Sequence, residues 1–215
     1  MMAPGEWLVV APSAHARELA GWSLFEAAEP AVQVLAADET VVVLSRSRTP
    51  EREVHLDRCT ADGVPVLIRP SGGGAVVLAS GTLIANIVAR TLGNEARPER
   101  EFGRFCGRTA AALAACDVTG VEVRGVSDLC LGERKIAGTA LRLWRGLVLF
   151  QLSLLVDMDL GLIETYLPLP SRQPDYRQGR HHRDFVTSLR AAGYTASVRE
   201  LGAALRLAFH QELVS

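Results

Sequence analysis

Between residues 121 and 157 four strand-like runs follow one another with no helix between them. Apolar and β-branched side chains mark them at 121–123, 129–131, 134–144 and 147–157. Further strands are expected over 40–45, 64–69, 75–78 and 83–89. Helices are expected over 14–27 with Ser13 as N-cap, and over 52–61, 101–116, 160–166, 182–192 and 198–213. Strands and helices interleave without a regular βαβ beat. This pattern predicts an α+β fold, a mixed and largely antiparallel β-sheet flanked by helices, and argues against a doubly wound one. The segment 167–174 carries Pro168, Pro170 and Pro174 and cannot be helix, so it reads as a loop leading into the last helices.

A chain of 215 residues is long enough for one well-cored domain. We expect a single domain over 1–215 and no C-terminal accessory domain, since 198–213 reads as one amphipathic helix capping the fold. A net charge of -1 gives no global field toward nucleic acid or a membrane. The apolar run at 147–156 is far shorter than the roughly 20 residues that span a bilayer. Met1 to Glu6 lack a basic segment followed by an apolar one, so no signal peptide is expected. Cys59, Cys106, Cys116 and Cys130 form no CxxC pair, which points to free thiols in a reducing compartment, the cytoplasm.

Lys135 is the only lysine among 23 basic residues. Arginine is a planar fork that stays charged, whereas lysine is a compact point charge. A site that sets one ammonium on a phosphate or carbonyl oxygen needs the second kind of group. A solvated lysine on a hairpin is the plainer alternative. The other local signal is Gly72-Gly73-Gly74, between two strand-like runs. Three glycines let the backbone turn at positive φ and approach a ligand, and their amides can hold an anion. A plain tight hairpin would look the same. The triplet is neither a P-loop, for no Gly-Lys-Ser/Thr follows, nor a dinucleotide fingerprint, for no helix opens after it.

Taken together the signals are more specific. Arg69-Pro70-Ser71-Gly72-Gly73-Gly74-Ala75-Val76 is followed by Ser127-Asp128-Leu129 and by Gly132-Glu133-Arg134-Lys135-Ile136-Ala137-Gly138-Thr139-Ala140. That order and spacing resembles the catalytic domain of the lipoate-protein ligase, octanoyltransferase and biotin-protein ligase superfamily, and most of all its lipoate-ligase branch. The resemblance runs from about Trp7 to about Leu189 and includes Val41-Val42-Val43-Leu44-Ser45-Arg46-Ser47 as a first core strand and turn. It implies a class II aminoacyl-tRNA synthetase-like sheet with an acyl tunnel beside the glycine loop. It implies that Arg69, Ser71, Gly72, Gly73, Gly74 and Ala75 line the acyl-carboxylate and phosphate site. Lys135 would hold the carbonyl and phosphate oxygens of an acyl-adenylate, or a thioester carbonyl. Asp128 would position the adenylate or its magnesium. Gly138, Thr139 and Ala140 would pack along the acyl chain and the nucleotide. ATP, magnesium and lipoate or octanoate are the implied ligands. The implied acceptor is a lysine of a lipoyl domain or of a glycine-cleavage H-type protein, and a separate accessory subunit is a further implied partner.

The chain departs from the family pattern at three places. Leu78 stands where the family carries a histidine past the glycine loop. The stretch Leu149-Phe150-Gln151-Leu152-Ser153 lacks the His-Gly pair that precedes the position of Asp159-Leu160. Pro168-Leu169-Pro170 lies where octanoyltransferases carry a nucleophilic cysteine. Activity as an ATP-dependent ligase, activity as a thioester-dependent transferase, and a non-catalytic lipoyl-domain binder therefore all stay open. Cys130 is a candidate nucleophile or a buried, inert thiol; an odd offset from Lys135 on one strand would put the two on opposite faces, unless a turn at Gly132 intervenes. The cluster Tyr176-Arg177-Gln178-Gly179-Arg180-His181-His182-Arg183-Asp184-Phe185 reads either as an anion-binding segment that closes over phosphate or docks an acidic acceptor, or as a solvated helix start with Asp184 balancing the dipole. His181 and His182 diverge by about 100° on a helix, which disfavours a metal site built on both.

Overall fold

The computed structural model describes residues 11–93 and 96–213. Trp7, where the family resemblance begins, and the leader reading of Met1 to Glu6 lie outside the described residues.

Gly21 splits the first helical stretch. The chain forms α1 (Ala14–Leu19) and α2 (Trp22–Ala27) in place of one helix, because Gly21 turns at φ 79. The break is a packing requirement: a Cβ there would sit 2.5 Å from Gln151 Nε2. Ser13 caps α1 as expected, accepting from the Ala16 amide. Strands β1 (Ala31–Ala36) and β2 (Val41–Ser45) follow. The helix expected over 52–61 is two short ones, α3 (Pro50–Glu53) and α4 (Leu56–Ala61). Between them Val54 is extended, and the His55 amide donates to the carbonyl of Tyr166 at 2.8 Å.

Next come β3 (Val66–Arg69), β4 (Val76–Leu78), β5 (Thr82–Arg90), α5 (Pro98–Ala114), β6 (Val121–Arg124), β7 (Asp128–Leu131), β8 (Arg134–Trp144) and β9 (Leu147–Leu155). Arg145 and Gly146, both at positive φ, make the tight turn from β8 to β9. The chain ends in α6 (Gly161–Tyr166), α7 (His182–Phe185) and α8 (Val198–His210), the last opened by a Ser197–Glu200 capping box. The helix expected over 182–192 stops at Phe185. Val186 bridges Lys135 instead, and the Thr187 amide donates to the Lys135 carbonyl at 2.9 Å.

Two sheets result. The larger runs β1-β5-β9-β8-β7-β6 and is antiparallel throughout. The smaller runs β3-β2-β4, with β2 parallel to β3 and antiparallel to β4. The expected mixed, largely antiparallel sheet is therefore present as two sheets. β1 had no counterpart in the sequence reading. One face of the larger sheet is covered by α5 and α8, where Phe105, Phe150 and Phe209 form the buried aromatic centre. The other face looks toward the smaller sheet.

Candidate active site

The glycine loop is not a hairpin. β3 and β4 lie on opposite sides of β2, so residues 70–75 must cross the end of β2 to join them. Arg69 makes that crossing fold. Its side chain is buried, and its guanidinium donates to the carbonyls of Gly72, Gly74 (2.8 Å) and Val43 (3.3 Å) and to Ser71 Oγ (3.0 Å). Burial, and then the charge of Arg48, lowers its pKa to about 10. Gly73, at φ 101, is needed twice over: a Cβ there would be 2.7 Å from Arg69 Nη2. From outside, Arg48 Nε donates to the Gly73 carbonyl at 3.1 Å. Two guanidinium groups thus hold the bend.

Across from the loop, Lys135 is aimed by a β-bulge. Leu129 pairs with Ala137 and Cys130 with Lys135, so β8 carries one extra residue against β7. Without it Lys135 and Gly138, three apart, would point to opposite faces. With it, the Lys135 Nζ lies 3.3 Å from where a Gly138 Cβ would be, and the absence of that Cβ leaves room for the ammonium. Lys135 Nζ is 2.6 Å from Asp128 Oδ1. Tyr176 Oη donates to Asp128 Oδ2 at 2.8 Å.

Between loop and lysine lies a cavity of about 330 Å³. Of the residues singled out by sequence, Arg69, Gly73, Gly74, Ala75, Asp128, Lys135, Gly138, Thr139 and Ala140 line it. Ser71 and Gly72 do not. Ser71 is buried and hydrogen-bonded to Gln151 Oε1, and the Gly72 amide donates to the Leu141 carbonyl at 3.3 Å. Those two residues anchor the loop to the larger sheet.

The chain's departures also fall on the cavity wall. Leu78 is buried there. Gln151 donates from Nε2 to Asn86 Oδ1 (2.8 Å) and to the Ala20 carbonyl (3.0 Å). Asn86 in turn donates to the Glu18 carbonyl at 3.1 Å. The Gln151 amide thus ties the glycine loop to the α1–α2 break. Sequence reading passed over Asn86; the available signal was a polar residue inside the apolar run Leu83-Ile84-Ala85-Asn86-Ile87-Val88-Ala89.

The proline loop and the arginine cluster close the remaining side, with Pro168, Arg172, Arg177 and His182 in the wall. Arg177 is 4% exposed, its plane stacks on Phe185, and its Nη2 has no hydrogen-bond partner. Burial lowers its pKa. The solvated-helix-start alternative does not describe these two residues, for Arg177 and His182 are buried. His182 Nε2 is 3.0 Å from the Pro168 carbonyl, so that nitrogen carries the proton.

Asp128 is the carboxylate that the resemblance assigns to positioning the adenylate or its magnesium. Both of its oxygens are engaged, one by an ammonium and one by a phenol, and no group of three or more His, Cys, Asp or Glu side chains able to hold a metal occurs among the described residues. Cys130 pairs with Lys135 across the turn at Gly132, so the turn does undo the odd offset. Its thiol is buried against Tyr176 Oη, does not line the cavity, and burial raises its pKa. That is the inert-thiol arrangement. All four cysteines are free.

The structure thus sets a glycine bend and a lysine strand facing each other on a two-sheet α+β scaffold. The model of the lipoyl protein ligase A/B catalytic domain matches residues 17–210, and the chain belongs to that family. A lipoate–protein ligase of Streptococcus pyogenes is 34% identical over 128 residues, 59% of this chain and 36% of that protein. An octanoyl-[GcvH]:protein N-octanoyltransferase of Geobacillus kaustophilus is 32% identical over 128 residues, 55% of this chain and 45% of that protein. The match thus spans less than half the length of either relative. A lipoate-protein ligase A bound with ATP shares the fold at TM-score 0.76 and 23% identity, covering 98% of this chain and 85% of the other. So does a bi-partite lipoate protein ligase of Thermoplasma acidophilum, at TM-score 0.75 and 22% identity, covering 95% and 81%.

Proposed function

We propose that this chain activates lipoate or a related medium-chain acid as an acyl-adenylate and transfers the acyl group to a lysine of a lipoyl-domain or H-type acceptor protein. The observation that carries this reading is the Lys135 ammonium set across a 330 Å³ cavity from the Gly73–Ala75 bend. In the first step the acid's carboxylate attacks the α-phosphate of ATP and pyrophosphate leaves. In the second the acceptor amine attacks the acyl carbonyl and AMP leaves. Both steps build negative charge on an oxygen in the slot. A fixed ammonium there stabilises the transition state more than the ground state.

Apart from Asp128, Lys135 has two further N–H donors to offer a ligand. The unpartnered Nη2 of Arg177 supplies a further cation from the side closed by the arginine cluster. A buried guanidinium without an anion is costly, and a bound phosphate would compensate it. Gly138, Thr139 and Ala140 supply the flat strand along which the acyl chain runs. Magnesium, in this reading, arrives with the nucleotide's phosphates and not on a protein cage. The free thiols suit a cytoplasmic location. The bi-partite relative supports a separate accessory subunit for this chain too.

A second reading is acyl transfer from a carrier thioester without ATP; the relative named for octanoyl transfer from GcvH to a protein supports transfer without ATP, though with an acylated protein as its donor. One assay separates the two from a non-catalytic binder. The protein is incubated with ATP, magnesium and lipoate or octanoate, and pyrophosphate is measured. Acid-dependent release is the expected result. Acyl transfer only from a carrier thioester would replace the ligase reading by the transferase one. Silence in both arms with retained acceptor binding would leave the binder.

A further inference from the structure

Tyr176 does not line the slot but touches Asp128, which does. Tyr176 sits in the arginine-rich segment, in a 3-10 turn over Asp175–Arg177. Its ring packs on Phe185 with centroids 5.2 Å apart. Its hydroxyl crosses to β7, where it meets Asp128 Oδ2 at 2.8 Å and Cys130 Sγ at 3.5 Å. The other oxygen of Asp128 holds Lys135 Nζ at 2.6 Å. The three side chains form a line: phenol, carboxylate, ammonium.

We propose that Tyr176 is a positioning residue, which fixes the Asp128 carboxylate and through it the aim of the Lys135 ammonium into the slot. The inference rests on the role assigned to Lys135 above. Asp128 is only partly buried, with 19% of its side chain exposed, and a carboxylate held by one partner on a strand is free to swing about χ1 and χ2. A second hydrogen bond from a separate segment removes that freedom. Burial raises the Tyr176 pKa well above the ordinary phenol value, so the hydroxyl stays a donor at every working pH. Gly125 gives the ring its seat, for a Cβ there would press on the ring edge at 3.3 Å. The device also ties Arg177, the next residue, to the same frame as Lys135. Lys135 and Arg177, both lining the slot, are therefore set by one contact.

Lys135 is the only lysine in the chain, so peptide mass reads its N-acylation with no competing side-chain amine, and hydroxylamine removes acyl groups from tyrosine and cysteine beforehand. The α-amino group serves as internal reference, resolved by peptide mass. An amine engaged with a fixed carboxylate acylates slowly, and a released one faster. Tyr176→Phe keeps the ring on Phe185 and removes only the hydroxyl. We expect Lys135 acylation by acetic anhydride to rise roughly tenfold in this variant, the factor appropriate to one hydrogen bond to a charged group. In an Asp128→Asn background the lysine is already released, and adding Tyr176→Phe should change nothing further. Equal acceleration in both backgrounds would mean that Tyr176 only packs its loop, and would overturn the proposal. So would an unchanged rate in the single variant.

The labelling needs no enzymatic activity, so it separates this inference from the ligase reading. Should the wild type release no pyrophosphate while the labelling behaves as expected, the ligase reading fails and the positioning role stands. Where pyrophosphate release is measured, Tyr176→Phe should lower kcat about tenfold and leave KM for the acid unchanged.

Discussion

On one face of the larger sheet, Leu83, Ala85, Ile87 and Ala89 of β5 and Phe150, Leu152 and Leu154 of β9 meet α5 and α8 in a dry apolar core. The intervening residues, Ile84 and Asn86 of β5 and Gln151 and Ser153 of β9, line the cavity on the opposite face. The backbones are the same and only the parity differs. The helical face is filled to the density of an interior, and its side chains have no chemistry to offer. The slot face leaves a void and lines it with amides, a lysine and two buried arginines. A cavity of this kind persists because its polar groups are tied to each other: Gln151 to Asn86 and Ser71, Arg69 to two loop carbonyls and one of β2. The stable face supports the strands, and the polar face spends part of that stability on a site.

The contrast can be broken most directly at Phe150, stacked on Phe105 at 4.8 Å. Phe150→Ala should cost about 3–5 kcal/mol of folding stability, read by urea denaturation. Lys135, on the slot side of the same sheet, should behave in the opposite sense. Lys135→Ala is expected to leave the denaturation midpoint nearly unchanged and to raise the barrier of acyl transfer by about 2.7–4 kcal/mol, a rate loss of roughly 10²–10³. Lys135→Arg should not restore the rate, since a planar fork keeps the charge but cannot place it at the point where the ammonium sits. If Phe150→Ala is tolerated, or if Lys135→Ala unfolds the protein, the two faces do not divide labour as described.

Gln151→Leu tests the polar face on its own terms. It gives β9 on the slot side the chemistry of its helical side, at nearly constant volume. Removing the amide strands Asn86 Oδ1 and leaves the Ser71 hydroxyl proton without its acceptor, and we expect a loss of about 1–3 kcal/mol. Both stability and acid binding should fall, because the same amide anchors the glycine loop. A stabilised variant that still binds the acid would show that the network is dispensable.

How far the site could be read in advance follows the same division. Lys135 and the glycine triplet were legible because each is an exception to its surroundings, the sole lysine and the one run of three glycines in an apolar chain. The core parity of β5 and β9 was legible as runs, though not as two faces. The bulge at Leu129/Cys130 was not legible, for it leaves no local mark and decides only which way Lys135 points. Nor was the Tyr176–Asp128 bond, which joins residues 48 apart through the packing of an irregular loop. The short helix α7 was overextended because Val186, Thr187 and Ser188 suit a helix pattern, while their backbone is drawn to the edge of β8. The order of elements is written in local patterning; the aim of the side chains comes from contacts that patterning does not record.

The smallest expected effect sharpens the comparison through pH. His182 is buried in the cavity wall, and burial lowers its pKa from the ordinary 6.5, only partly offset by its hydrogen bond to the Pro168 carbonyl. Arg177 and His181 push it further down, and Glu164 pulls it up. The sign then follows from proton counts. Above 6.5 the imidazole is neutral in both folded and unfolded chains and its contribution to stability is complete. Below 6.5 the unfolded chain takes up a proton that the folded chain refuses, so stability falls as the pH drops toward the lowered folded value. The slope contributed by this one group is at most about 1.4 kcal/mol per pH unit. His182→Gln keeps a donor for the Pro168 carbonyl and removes the titration. Urea denaturation of both proteins from pH 7.5 down to 5 should give curves that run parallel above 6.5 and diverge below it, with the variant the flatter. Parallel curves throughout would mean that this wall of the slot admits a proton as freely as solvent does, and that its polar groups are less closed off than those of Arg69 and Gln151 on the other side.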